Sequence, residues 1–198
     1  MGRVVVMNHL TLDGVIQGPG RPEEDTRDGF TLGGWGQRSA SAGDAAGKAM
    51  GARMAAGGGL AGRLFGRRTY EGLLAHWNAS GGPFKEALNN TPKYIASTTL
   101  SEPLAWPNST LLEGDVAGAV RELKARVEGV LAIMGSGELI GSLMVADLID
   151  EYLLMIHPIV LGSGRRLFPE HVHSSLRLVE STATATGIVI STYEPAKN

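Results

Sequence analysis

The sequence predicts an α/β protein on a central mixed sheet, mostly parallel, flanked by helices and finished by an antiparallel C-terminal hairpin. Three observations carry this reading. Short β-branched or apolar runs alternate with segments of helical spacing along most of the chain. Between residues 130 and 156 a strand, a helix and a second strand follow one another over short connections, which implies a right-handed parallel crossover. Leu176 to Tyr193 holds two β-rich runs around Gly187, the pattern of a closing hairpin.

Taken in order, Arg3 to Leu10 is a β-branched run closed by Asp13-Gly14, a buried strand entering a turn. Gln17 to Gly36 is rich in Gly, Pro and charge and predicts a long irregular loop, of the kind that inside a compact domain is functional or mobile. Ser39 to Ala56 has helical character, although Gly43, Gly47 and Gly51 each weaken it by about 1 kcal/mol relative to Ala. Leu60 to Phe65 predicts a strand stopping at Gly66, and Thr69 to His76 a helix after it. Lys93 to Thr98 and Ser109 to Glu113 are further strands. Asp115 stands where an N-cap belongs, ahead of a helical face of Val116, Ala119, Val120, Leu123 and Val127, with Gly129 as the stop. Val130 to Met134 is a strand, Glu138 to Ala146 a helix and Tyr152 to Ile156 another strand.

Composition narrows the function classes. With 198 residues, 43% hydrophobic and 19% charged, one core suffices, and a single domain over 1–198 is expected. A net charge of −2, with scattered Lys and Arg, provides no field to gather nucleic-acid phosphates or an anionic membrane. The absence of cysteine excludes disulfides, thiolate metal sites and a Cys nucleophile, and fits a cytoplasmic location. No stretch reaches the roughly 18 apolar residues of a membrane span. His171 and His173 lack a third ligand at useful spacing, so no metal is expected. His157, before Pro158 in an apolar strand, reads as a satisfied core histidine.

Two segments have the makings of phosphate sites. Val130 to Gly141 runs from a buried strand through Gly135-Ser136-Gly137 into a helix that opens with Glu138 and Leu139. Small residues there let backbone approach a pyrophosphate, whose charge the helix N-terminus favours. The spacing is one residue longer than G-x-G-x-x-G, and no acidic residue follows where an ordinary dinucleotide fold has one, so purely steric glycines also fit. The second segment is Gly66-Arg67-Arg68-Thr69, two guanidiniums and a hydroxyl opening a helix. Solvated arginines and a Thr cap are the competing reading. Two phosphate sites side by side at one rim of the sheet would serve one dinucleotide.

The blocks Thr11 to Gly18, Phe65 to Glu71, Lys93 to Thr98, Gly135 to Leu139 and His157 to Phe168, in this order across nearly the whole chain, resemble the dihydrofolate reductase-like superfamily. They are closest to its branch around the riboflavin-pathway reductase domain. The resemblance implies the three-layer fold of that superfamily and an NADPH cofactor. It assigns Arg67 to the adenosine 2′-phosphate, Gly66, Arg68 and Thr69 to the pyrophosphate, Ser97 and Thr98 to the adenosine side, and Gly135, Ser136, Gly137, Glu138 and Leu139 to the second pyrophosphate turn. Asp13, Ile16 and Gly18 then border the nicotinamide and substrate. The Trp-x-x-Pro-x-Asp context of folate-reducing members is missing, so folate is not the expected substrate. Asp13 is left as the acid near the hydride site, or else a turn residue; Trp35 stacks on an aromatic substrate, or else covers the edge of the core. The implied function is hydride transfer to a small heterocyclic or aromatic substrate, with non-catalytic nucleotide or pterin-like binding as the alternative; separately, the apolar content near Ile156 to Leu161 predicts a homodimer.

Overall fold

The computed structural model describes residues 1–37, 43–170 and 172–196. Within them the strands are β1 (Arg3–Thr11), β2 (Leu60–Gly66), β3 (Lys93–Ala96), β4 (Ser109–Leu112), β5 (Val130–Ile133), β6 (Glu151–His157), β7 (Leu176–Ala183) and β8 (Val189–Pro195). The helices are α1 (Gly43–Ala56), α2 (Arg67–Ser80), α3 (Pro83–Asn90), α4 (Val116–Arg126) and α5 (Gly137–Val145).

All eight strands join one sheet in the order β4-β3-β2-β5-β1-β6-β8-β7. The first six are parallel, β8 pairs antiparallel with β6, and β7 with β8. The connections β1 to β2 and β2 to β3 move one way across the sheet, and those into β5 and β6 move back. Right-handed crossovers therefore put α1, α2 and α3 on one face and α4 and α5 on the other. Packing agrees. Even-numbered Val4, Val6 and Leu10 of β1 meet Leu123 of α4 and Ile140 and Leu143 of α5. Odd-numbered Val5 and Met7 meet Met50 and Met54 of α1, while Phe65 and Ile95 meet Tyr70, Leu74 and Leu88 of α2 and α3. The three-layer fold expected from the sequence is the fold observed.

Local chemistry explains most boundaries. Asp115 caps α4, accepting from the Gly118 amide at 3.0 Å. Gly187, at φ +82, turns the C-terminal hairpin. The helix expected over Ser39–Ala56 is seen from Gly43 onward; Ser39 to Ala42 lie outside the described residues. Two differences have clear causes. Helix α2 starts directly at Arg67 and runs to Ser80, longer than Thr69 to His76, because Gly66 serves as its N-cap. Helix α3 was not expected; Pro83 opens it at the first helical position, behind Gly81-Gly82. No helix among the described residues is long and apolar enough to cross a membrane.

Candidate functional site

Strands β2 and β5 are neighbours and end at the same rim of the sheet, each feeding a helix through a glycine bend. The two bends touch. The Gly66 amide donates to Ser136 Oγ at 2.8 Å, and a Cβ at Gly135 would lie 3.1 Å from Thr69 Cγ2 and 3.2 Å from its Oγ1. Gly135 (φ +70) and Ser136 (φ +62) are both left-handed, which turns the chain sharply enough to bring α5 beside α2. Below them the buried Asn8 accepts from the Gly135 amide with Oδ1 at 2.6 Å.

These bonds change the expected division of labour. The amides of Gly66 and Gly135 are engaged inside the protein, so any free donors are the next ones along. Neither α2 nor α5 has a side-chain cap at its N-terminus, which leaves first-turn N–H groups of both helices and their dipoles facing the same place. Arg67 is partly exposed, with only a loose contact from Nε to Glu71 at 3.9 Å, and Arg68 is exposed. Ser97 follows Ala96, which pairs with Gly66, but its Oγ accepts from the amides of Thr99 and Leu100 and closes its own turn; Thr98 beside it is exposed. Leu139 is a core residue and has only backbone to offer. Glu138 pairs with Arg165 at 3.0 Å and Arg27 at 3.6 Å, tying α5 to the long loop.

On the other side, Ile16 reaches the first turn of α5, since a Cβ at Gly137 would lie 3.1 Å from its Cδ1. Gly18 (φ +57) starts the loop and accepts from the Gly34 amide at 2.8 Å. At two residues the structure favours the plainer of the two readings. Trp35 is not an open stacking platform: it is 2% exposed, donates from Nε1 to the Gln17 carbonyl at 2.7 Å and packs with Val15 and Phe30. Asp13 is not poised as an acid. Its carboxylate accepts from Thr11 Oγ1 at 2.6 Å, the Gly162 amide at 2.8 Å and the Leu161 amide at 3.2 Å. The Thr11 hydroxyl first, against the opposing effect of burial, and then those amides hold its pKa down to about 2. It is a clamp between the 11–16 turn and the 157–167 loop, ionised at neutral pH.

A stability prediction follows from that clamp. The carboxyl is depressed from 3.8 to about 2, so its contribution is present above 3.8 and is lost as pH falls toward 2. Asp13→Asn is expected to lower the thermal midpoint at neutral pH, and the gap to the native chain to close below about pH 2. Parallel melting curves at both pH values would contradict the clamp.

The sequence reading overlooked two polar residues in the apolar run of β1. Asn8 keeps its Nδ2 buried without a partner among the described residues. His9 bonds through Nδ1 to Nε2 of His157 on β6, at 2.8 Å. His157 is buried as expected but not fully satisfied, because its Nδ1 has no partner among the described residues. Burial, and then His157, lowers the pKa of His9 to about 4, and burial lowers that of His157. His173 is exposed, and His171 lies outside the described residues.

A surface cleft of about 990 Å³ lies at the opposite rim, lined by Arg3, Asp150, His173 and Glu194 among others. It touches none of the glycine bends. Strand ends that lead into helix N-termini are where parallel α/β sheets bind ligands, so the bend rim is the better candidate.

A family model of the RibD C-terminal domain matches residues 3–190. The curated Bacillus subtilis (strain 168) protein YyaP is 29% identical over 110 residues, a match spanning 54% of this chain and 56% of YyaP. Among solved structures, a Shewanella sp. PV-4 protein named for riboflavin biosynthesis is 21% identical, with a TM-score of 0.68 over 98% of this chain and 99% of that one. Dihydrofolate reductase from Enterococcus faecalis, complexed with NADP(H), is 15% identical, with a TM-score of 0.61 over 98% and 97%. At these identities the likeness to solved structures concerns the fold.

Proposed function

Because the chain belongs to the RibD C-terminal domain family, whose structural neighbours are dihydrofolate reductase-like proteins, we propose that it is an NADPH-dependent reductase acting in the cytoplasm on a small heterocyclic or aromatic substrate. One observation carries the reading: the Gly66 and Gly135 bends meet, joined by the bond from the Gly66 amide to Ser136 Oγ, so that two helix N-termini without side-chain caps lie together at one rim. Two further features suit a dinucleotide. A Cβ at Gly135 would stand only 3.1 Å from Thr69, so glycine keeps the two bends close, and the Asn8 side chain holds the same turn through its Oδ1.

In this reading the first-turn amides of α2 and α5, with Arg68 and Thr69, hold the pyrophosphate. Arg67 takes the 2′-phosphate, its loose contact with Glu71 giving way to a charge-assisted pair. Ile16 and the loop from Gly18 border the nicotinamide end. Bound NADPH supplies the hydride; the chain supplies position and electrostatics. A homodimer belongs to the same proposal, and the stretch expected to form it, 156–161, presents Val160 at 67% exposure.

Binding measured by fluorescence tests this directly. The native chain is expected to prefer NADPH to NADH, and Arg67→Ala to lose most of that preference, NADPH weakening about tenfold or more, the worth of one charge-assisted bond. Equal affinity of the native chain for both cofactors would remove Arg67 from the role. The second reading, binding without turnover, gains from the engagement of Asp13 with Gly162 and Leu161. Loss of NADPH absorbance with pterins, flavin precursors or quinones would exclude it.

A further inference from the structure

We infer that His9 and His157 form a donor subsite for the substrate, in which His9 presents its Nε2–H to a carbonyl oxygen or ring nitrogen of a neutral heteroaromatic molecule. The substrate half of this inference rests on the reductase reading; the state of the two rings does not.

The placement comes from strand alternation. Odd-numbered Val5 and Met7 face the apolar layer under α1, as do Leu153 and Met155 of β6. His9 and His157 continue those two rows toward the rim, in a register where His9 pairs with Met155 and Thr11 with His157. Among the described side chains, the apolar cover from α1 is Met50 and Met54, and imidazoles follow where the strands run out. Trp35 closes one side, edge-on to His157 with ring centroids 5.2 Å apart. His9 directly follows Asn8, whose side chain, on the alternate face of β1, holds the Gly135 turn.

The hydrogen bonds favour one placement of the ring protons. One of His9 Nδ1 and His157 Nε2 donates to the other. If His9 donated, His157 would need its proton on Nδ1, a buried N–H with no acceptor. A bare lone pair there costs less than an orphaned donor. The favoured arrangement has His157 Nε2–H donating to His9 Nδ1, and His9 then carries its own proton on Nε2. His9 is half-buried, and its Nε2 has no partner among the described residues and is not one of the enclosed atoms. The result is a neutral N–H on His9, oriented from behind by a second ring that the Trp35 indole flanks. Such a donor selects a neutral acceptor. It has little to offer an anion, which would call for a charged partner, and it gives no acceptor to an amine or ammonium group.

Nitrogen NMR of the imidazole rings tests the first half without any ligand. Both rings are expected as neutral Nε2–H tautomers at neutral pH; an Nδ1–H tautomer or a cation at His9 would overturn the inference. The second half uses lumazine, a dioxopteridine with carbonyl and ring-nitrogen acceptors, added to the NADPH-saturated chain. The His9 Nε2–H signal is expected to shift to lower field on saturation. His9→Phe should weaken lumazine about tenfold and leave NADPH affinity unchanged, while His9→Gln, which keeps an N–H donor and a bond to His157, should stay within about threefold. Saturable lumazine binding that leaves His9 unmoved, or no binding up to its solubility, would overturn the subsite. Failure of NADPH itself to bind would instead remove the reductase reading, so the two outcomes are distinct.

Discussion

Gly135→Val is expected to abolish saturable NADPH binding and to lower stability by about 2–4 kcal/mol, through strain at one left-handed residue and overpacking at its contact. The bend holds φ +70 at this position, a conformation that a β-branched residue almost never adopts. Space is equally short. Even a bare Cβ would stand 3.1 Å from Thr69 Cγ2, and the two γ-methyls of Val add bulk toward the first turn of α2. Because Thr69 sits in the neighbouring bend, relief of the clash must part the two bends and stretch the bond from the Gly66 amide to Ser136 Oγ. A milder variant, Gly135→Ala, covers the case in which Val prevents folding: its backbone cost is about 1–2 kcal/mol, yet the Cβ still presses on Thr69. Gly72→Ala is the control. That glycine lies inside α2 with nothing within 4 Å of where a Cβ would stand, and alanine there is expected to be neutral or to stabilise by up to about 1 kcal/mol. Unchanged NADPH affinity in a folded Gly135→Ala chain would show that the bend does not cradle the phosphates.

The bends were legible in the sequence because they are local: a strand, two or three small residues and a helix lie within a dozen positions. The same holds for Asp115 and for the hairpin glycine, where one residue's preferred conformation marks a boundary. Helix α3 was hidden by Gly81-Gly82, which reads as a loop until Pro83 is recognised as a helix opener. Trp35 and Asp13 were given functional roles alongside bland ones. The deciding partners, Gln17 for the indole and Leu161 with Gly162 for the carboxylate, belong to chain segments that only the folded loop brings together. The imidazole pair was beyond local reading altogether. Its members are 148 positions apart, and they meet only because β1 and β6 are adjacent in a given register. What betrays them in the sequence is the interruption of an apolar strand by Asn8-His9, where polar groups are costly unless paired.

That cost gives the second large effect, a loss of stability in mild acid traceable to His9. Its pKa falls from 6.5 to about 4 on folding, through burial first and the facing His157 second. Between those values the unfolded chain binds a proton that the folded chain refuses. Stability is therefore greatest above pH 6.5 and declines as pH falls toward 4. A shift of this size corresponds to at most about 3 kcal/mol, at up to about 1.4 kcal/mol per pH unit. His157, also depressed by burial, acts in the same direction from β6, and Trp35 on the loop side adds no charge. The carboxyl of Asp13 titrates in a lower window, between 3.8 and about 2, and does not confuse the measurement. Urea midpoints at pH 7, 6 and 5 should fall steeply for the native chain and less for His9→Gln, whose amide keeps an acceptor for His157 Nε2–H and has nothing to titrate. The double variant with His157→Gln should be flatter still. If the native chain and His9→Gln lost stability at the same rate over this range, His9 would have to be charged in the folded protein, and a neutral donor at the end of β1 would be untenable.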